Sequence, residues 1–568
     1  MEILNHIQSN KKNQYWIFFS VLIFLALFMM FCNGSSSAYS GYDFYFHYRR
    51  LYTLIDALQH GDYISYIDHR NIDGYGYLTK AFYSDVILLP FALIGLFTSA
   101  YFAYDAMIFT MTVLCGVFMY NTVNVIYKSR YAAVVSAILY AFAVYRLYDI
   151  YQRGALGEAL SFTFLPIVFL GLYHIISGNY KKWYILTIGY SLLIYSHVIA
   201  SVLMFVTLII ILIVYNKSLR KEPKRIAYLF LAGIATLVIA SYYIFPTLEQ
   251  LSSNFFYLNT RSPGGGAGYG KMGFDYILWG FISGIAYPDR YIWAGIGIVL
   301  TLVVLSRIFI KGNKTKVLRS VDIGVIIGIC FIIAISRIFP WGRFPFNLLS
   351  FIQYPWRLYE FVSFFFALAG GYYLALLFIK YKQRVVVFSI IVVATMATTY
   401  INSENFKYLY SEKVLQIYGG DSTEEPTYYN QYHTIGGEYF PAKLPAIEYV
   451  YERGERVDKK IDDTQILNFK REGKRTILDV NINKPDTLVL PLLYYYGYSV
   501  TLDGKNIPIS QSDYGLIDIP VNKSGQIIAW YAGTNVQKIS FYISLVGVLA
   551  LIVFIIRSER KDKDEANN

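Results

Sequence analysis

The sequence predicts an all-α polytopic membrane protein that carries a small β-rich extracytoplasmic domain near its C-terminus. Three observations predict it. Apolar stretches such as Trp16–Phe31 and Ile226–Phe245 run close to the ~20 residues a helix needs to cross about 30 Å of hydrocarbon. Lys and Arg gather in short clusters between those stretches, as in loops on the positive-inside face. After residue 401 the composition changes to strand-like runs with turn signals. Bulk values agree: 56% of the 568 residues are hydrophobic, only 15% are charged, and mean hydropathy is +0.41. The net charge of +12 is spread over the loop clusters, with no basic groove-reading module, which excludes nucleic acid as a partner.

In chain order, Lys11-Lys12 precede the first apolar run. Ser35-Ser36-Ser37-Ala38 follows it and imitates a signal-peptidase site. The run is long for a signal h-region, so the expectation is an uncleaved first span. Met30 and Phe31 before Cys32 argue against a lipoprotein site. Cys32, Cys115 and Cys330 have no metal or redox spacing and read as packing residues.

The basic clusters at Lys128-Ser129-Arg130, Lys181-Lys182, Lys217 to Arg225, Lys311 to Arg319, Lys380 to Arg384 and beyond Arg557 define cytoplasmic loops. Consecutive cytoplasmic loops are separated by an even number of crossings, yet three apolar stretches lie between Lys12 and Lys128. One of them does not cross, and 82–99, with Asp85, Pro90 and Gly95, is the expected juxtamembrane or re-entrant helix. By the same parity, 183–215 crosses twice and turns near Ser196-His197. The outcome is about twelve spans with both termini cytoplasmic.

Outer segments then cover 33–103, 246–290 and 401–538, and Gly264-Gly265-Gly266 suggests a mobile outer loop. In the last segment Thr476–Ile482, Thr487–Leu493, Tyr498–Leu502 and Ile527–Tyr531 read as strands, with turns at Asp503-Gly504 and Ser524-Gly525. The domain reading is 1–400 transmembrane, 401–538 β-rich, and 539–568 last helix and tail.

With that topology the span interiors hold few charges. Polar groups gather instead at outer helix ends: Asp43, His47, Arg50, Arg153, Glu158, His197, Arg337, Arg343, Arg357 and Glu360. A shared outer cavity favours interfacial chemistry over ion-coupled transport, which needs ionisable groups at the midplane. If 43–59 is helical, Asp43, His47 and Arg50 share a face, and Asp43 suits a general base with His47 orienting or binding substrate. Asp43 equally suits a helix cap. Arg153 suits a phosphate, and Glu158 suits holding Arg153, binding a hydroxyl or taking a proton; a purely structural ion pair is the alternative. Arg50 and His197 are expected to bind substrate, although His197 sits at a helix end, where a histidine is commonly structural. Pro355 disfavours helix at Tyr354, so Trp356 and Arg357 begin a helix at the membrane surface. They suit a lipid-linked phosphate and a sugar or prenyl chain, or plain interfacial anchoring.

Asp43-Phe44-Tyr45-Phe46-His47-Tyr48-Arg49, Arg153-Gly154-Ala155-Leu156-Gly157-Glu158, Gln353-Tyr354-Pro355-Trp356-Arg357, Tyr494-Tyr495-Tyr496-Gly497-Tyr498 and Leu502-Asp503-Gly504 occur in that order over most of the chain. In them the chain resembles the bacterial 6-pyruvoyl-tetrahydropterin-synthase-related membrane proteins and the neighbouring YfhO-like proteins, which look like members of the GT-C class of glycosyltransferases. The resemblance implies a GT-C-like transmembrane domain with juxtamembrane helices after span one. It also implies transfer of a sugar from a polyprenyl-phosphate carrier to an extracytoplasmic envelope glycopolymer, at a bacterial cell membrane, with inversion. Asp43 takes the place of the family's base or metal-site acid, with Arg153 and Arg357 at the departing phosphate. No adjacent acidic pair occurs in the first loop, so a divalent metal stays an open expectation. A lipid or polysaccharide transporter and a non-catalytic membrane scaffold are the competing readings.

Overall fold

In a computed structural model the chain is described over residues 11–32, 41, 43–62, 66–260, 266–268, 270–283, 295–312, 315–418 and 437–567. Ser35–Ala38 and most of the Gly264–Gly266 run lie outside the described residues. Among the described residues, eight helices are long and apolar enough to cross a membrane, or nine if Lys224–Ile239 and Ser241–Ser253 count as one broken span. That is fewer than the expected twelve. The shortfall falls on helices too short to qualify alone: Tyr184–Ser196, Val198–Val214 and Gly297–Leu305. Residues 82–99 form no long helix. They fold as the ends of Thr79–Phe82 and Ala100–Tyr127 around a seven-residue helix, Leu89–Gly95, whose rise of roughly 10 Å is well short of a crossing.

The chain divides into two compact units. The first comprises Met1–Tyr48, Tyr101–Thr236 and Gly264–Glu425 and is helical; the second comprises Arg49–Ala100, Leu237–Pro263 and Pro426–Asn568. These differ from the contiguous boundaries 1–400, 401–538 and 539–568. The physical reason is a shared core: Tyr75, Tyr77 and Phe82 of the first loop are buried in one cluster with Leu478, Leu490 and Ile527 of the β region. Residues 401–418 also continue the helix Tyr381–Tyr418 rather than opening the β region.

In the helical unit, local chemistry explains both starts and breaks. Ser129 and Thr315 cap their helices, accepting from the amides of Ala132 (3.3 Å) and Leu318 (3.1 Å). Pro166 interrupts Leu156–Ile176 and cannot donate to the carbonyl of Phe162. The Tyr140 hydroxyl donates to that carbonyl instead (3.0 Å), which satisfies a polar group that lipid would leave orphaned. The span Arg130–Arg153 is buried inside the protein over most of its length and breaks after Ala141. There the buried Arg146 donates to the Ala141 carbonyl (2.9 Å) and the Thr112 hydroxyl (2.9 Å).

The second unit contains two antiparallel sheets. One runs β1 (Asp458–Lys459), β4 (Asp486–Leu493), β8 (Leu516–Val521), β7 (Ser510–Gln511); the other runs β2 (Gln465–Glu472), β3 (Arg475–Asn481), β9 (Gly525–Tyr531), β5 (Tyr498–Leu502), β6 (Lys505–Ile507). The four runs read as strands are all present, within two residues at each end. The turn at Asp503-Gly504 joins paired Leu502 and Lys505 with φ of 48° and 75°, the two-residue hairpin geometry that needs both central residues left-handed. Strands β2 and β8 escaped the reading. In β2 the apolar Ile466, Leu467 and Phe469 do not alternate, because the pairing shifts register between Leu467 and Lys470, and β8 contains Pro520. A capping box opens the last helix, Asn535–Asn567: Thr534 and Gln537 exchange side-chain and amide hydrogen bonds at 3.0 and 3.1 Å.

Candidate functional site

Within the helical unit, the cluster forms where the span Arg130–Arg153 ends. Its last turn, Asp149–Arg153, is a π-helix stopped by Gly154 in the left-handed region (φ 61°). Such wide turns expose side chains at irregular angles and are frequent at functional sites. Here the turn directs Asp149 and Arg153 to the same point, because the next helix brings Glu158 back toward them. Arg153 Nη1 lies 2.9 Å from Asp149 Oδ1 and 2.6 Å from Glu158 Oε2. The Tyr145 hydroxyl donates to the other Glu158 oxygen (2.5 Å). Arg357 Nε lies 3.4 Å from Glu158 Oε2, although it stands 199 residues further along the chain.

Two glycines make the convergence possible. At Gly41 (φ 113°) a Cβ would fall 2.1 Å from the Gly154 amide nitrogen, so only glycine lets this strand lie against that turn. Two residues later the Asp43 amide donates to the Arg153 carbonyl (2.7 Å), locking Asp43 to the cluster. At Gly157 a Cβ would meet the Ser196 carbonyl at 2.9 Å and the His197 ring at 3.3 Å, so the helix break at His197 nests on Gly157. His197 caps Val198–Val214, its Nδ1 accepting from the Ala200 amide (3.3 Å).

Asp43 takes the N-cap position, its carbonyl accepting from the His47 amide (3.2 Å) ahead of the helix Phe44–Gln59. Burial pushes its carboxyl above the ordinary aspartate range; Arg153 and Arg357 pull it down, and Glu158 adds to the rise. The structure therefore brings Asp43, Arg153, Glu158, His197 and Arg357 into one cluster. Arg50 does not join it. In the second unit it donates to the Ser84 carbonyl (2.8 Å) and the Asp85 carboxylate (3.1 Å), contacts the i, i+7 spacing from Asp43 could not foresee. His47 is buried, with its ring 5.1 Å from that of Phe46. Trp356 is also buried and stacks on Tyr354 at 4.3 Å, so its face is already covered. Arg337 and Arg343 are exposed.

The ion pair between Arg153 and Glu158, weighed as an alternative, is formed, and it restricts both residues. Glu158 holds two guanidinium groups and a phenol, which makes it an anchor rather than a free base. Arg153 shares its charge between two buried carboxylates. Arg357 is held more loosely: beyond Glu158 it donates to the Ile352 carbonyl (3.0 Å) and reaches Gln353 Oε1 only at 3.5 Å. Of the two, Arg357 is the better placed to turn toward an incoming anion. Its local geometry follows the proline rule, with Tyr354 extended (φ −125°, ψ 112°) and a 3-10 turn over Pro355–Leu358 leading into Tyr359–Leu377.

Sequence reasoning assigned no role to Asp149, Tyr145 or Ser161. Asp149 and Arg153 stand at i, i+4, a legible ion-pair spacing. The Ser161 hydroxyl is hydrogen-bonded with the Glu158 carbonyl (2.6 Å) and with the Glu360 carboxyl, its one proton serving one of them, and a serine among apolar residues offers no signal for that. Among the described residues no group of three or more His, Cys, Asp or Glu is arranged to hold a metal ion. The donor set at the cluster does not fit one either, because Asp149 and Glu158 are already held by the Arg153 guanidinium.

No family model matches the chain. It is similar to a protein of Lactococcus lactis subsp. cremoris (strain MG1363), described only as an uncharacterized protein, at 21% identity over 98% of each chain.

Proposed function

We propose that the chain is a multi-pass membrane glycosyltransferase that moves a sugar from a polyprenyl-phosphate donor to an extracytoplasmic cell-envelope acceptor. The observation that carries this reading is the Asp43 carboxyl, raised by burial and set beside the Arg153–Glu158–Arg357 cluster. A base and a cationic group side by side are what a single inverting displacement requires. Asp43 takes the proton of the acceptor hydroxyl, and the hydroxyl oxygen attacks the anomeric carbon from the side opposite the phosphate. The bond from that carbon to the phosphate oxygen breaks, and the electron pair leaves with the polyprenyl phosphate. Arg357 stabilises the charge that develops there. Glu158 and Asp149 hold Arg153, and Arg153 holds the backbone on which Asp43 sits.

The topology that goes with this reading has about twelve crossings, with the basic loops and both termini cytoplasmic. It adds the broken pair Lys224–Ser253 and the short helices Tyr184–Ser196, Val198–Val214 and Gly297–Phe309 to the eight long ones.

The test compares envelope glycans by mass spectrometry in cells with the chain, without it, and with Asp43→Asn at matched expression. Asn caps a helix as well as Asp does but accepts no proton, so transfer is expected to fall by roughly 10²–10⁴-fold with folding retained. Near-normal transfer by the Asn variant excludes Asp43 as the base. Glycans unchanged by loss of the chain exclude the transferase reading itself.

A further inference from the structure

The second unit contains two adjoining cavities that the cluster around Asp43 does not use. The larger, about 370 Å³, lies between the helix Phe44–Gln59, the loop near Asp68 and the β2–β3 turn at Gly473. The smaller, about 250 Å³, is lined by Tyr66, Tyr531, Phe541 and Tyr542. Asp62, His69 and Lys474 line both, so the two form one continuous cleft. The larger part reaches the size of ordinary small-molecule sites.

Its chemistry narrows what fits. Four basic side chains (Arg70, Lys80, Lys474, Arg475) and four acidic ones (Asp56, Asp62, Asp68, Glu472) line the larger cavity together. Several are already matched: Arg70 to Asp56 at 2.7 Å, His69 to Asp62 at 3.4 Å and Lys474 to Asp62 at 3.7 Å. An anion gains little there, because it competes with Asp56 and Asp62, and a cation meets the lysines and arginines. A ligand with many hydroxyl groups uses both sets at once, donating to the carboxylates and accepting from Lys474 and Arg70 without breaking the pairs. In the smaller cavity Tyr66 and Tyr531 are buried, while Phe541 is half-buried and Tyr542 is 64% exposed, so these last two offer apolar ring faces. Alternating hydroxyl and C–H faces are the surface of a sugar ring, which stacks its C–H face on an aromatic side chain.

We infer that this double cavity in the second unit is a binding site for an uncharged oligosaccharide, with Asp62 and Lys474 as its central polar contacts. The inference does not rest on the transferase reading, since a glycan site serves a transporter or a scaffold equally well.

The experiment is saturation-transfer NMR on the purified full-length protein, in a detergent without a sugar headgroup, with cellobiose, maltose and chitobiose as probes. Glucosamine and glycerol 1-phosphate, whose C–H protons report binding, are the charged controls. At least one neutral disaccharide is expected to receive saturation, and Asp62→Asn to weaken its binding about tenfold or more through loss of a charged acceptor. Lys474→Gln, at a half-exposed position on the turn, is expected to weaken it in the same direction and decides the matter alone if Asp62→Asn does not fold. Absence of transfer to all three disaccharides overturns the inference. So does wild-type binding by the folded variants, or stronger binding of either charged control. None of these outcomes touches the glycan comparison that tests Asp43.

Discussion

Replacing Arg153 by Met tests whether the cluster is held by its charges or merely by the packing of its helices. Asp149 and Glu158 are 0% and 1% exposed, and both place an oxygen on the same Arg153 nitrogen, at 2.9 and 2.6 Å. Without Arg153, Glu158 keeps Arg357 at 3.4 Å and the Tyr145 hydroxyl at 2.5 Å. Asp149 loses its ion-pair partner, and its second oxygen already has no hydrogen bond among the described residues. Removing one member of a buried pair costs about 3–5 kcal/mol, because the remaining charge is neither solvated nor matched. The comparison is Arg456→Met, which removes an ion pair to Asp458 at 2.6 Å from a side chain 65% exposed. A pair like that contributes about 0–1 kcal/mol. Thermal unfolding of the purified protein in micelles reads both variants. Arg153→Met is expected to lower the midpoint far more than Arg456→Met. The double change Arg153→Met, Asp149→Asn is expected to recover much of the loss, since Glu158 keeps Arg357 and the carboxylate left without a partner is gone. A shift no larger than that of Arg456→Met, or a double variant less stable than Arg153→Met alone, refutes the reasoning.

Further outcomes follow from Asp43, from the β region and from the topology. Because burial raises the Asp43 carboxyl, the rate of sugar transfer is expected to fall on acidification at a pH above the ordinary aspartate value of ~3.9, and Asp43→Asn to lose that limb. A raised folded-state value also means that Asp43 favours folding at low pH and loses that contribution as pH rises through it, so the Asn variant is expected to be the more stable at neutral pH. Asp486 behaves oppositely: despite burial it is held below the usual range by the Thr464 hydroxyl (2.6 Å) and the amides of Thr487 (2.7 Å), Lys460 (3.1 Å) and Ile461 (3.3 Å). Asp486→Ala is expected to cost roughly 1–3 kcal/mol at neutral pH, measured by unfolding, with the difference from wild type vanishing as pH falls below ~3.9 and through the lowered value. For topology, single cysteines at positions 128, 182 and 470, on a background without Cys32, Cys115 and Cys330, are probed with a membrane-impermeant reagent. Position 470 is expected to react from outside and the other two to be protected; labelling of 128 from outside would mean that 82–99 crosses.

The reach of the sequence was set by how local each signal is. Apolar runs of spanning length declare a helix, because the backbone has no other way to satisfy itself in lipid. Tyr498–Leu502 and the Asp503-Gly504 turn were legible because alternation and left-handed turn residues are properties of a few adjacent positions. The helix after Pro355 was legible for the same reason. β2 was not, since Ile466, Leu467 and Phe469 stand among polar residues across a register shift between Leu467 and Lys470, which breaks the alternation that marks a strand.

The sequence by itself thus determined the apolar helices, the principal strands and the chemistry of Asp43, Arg153, Glu158 and Arg357 as individual side chains. Only the tertiary structure decided which of them meet. Arg50 shares a helix with Asp43, yet it pairs with Asp85. Arg357, more than three hundred residues from Asp43 in the chain, joins Glu158. First-loop residues Tyr75 and Tyr77 share a core with strands some four hundred residues away. The physical reason is that a charge or an aromatic ring carries no label for its partner. Selection comes from burial, where an unmatched polar group costs several kcal/mol and only arrangements that match it survive. That cost is a property of the assembled interior, and it exists only once distant segments have come together.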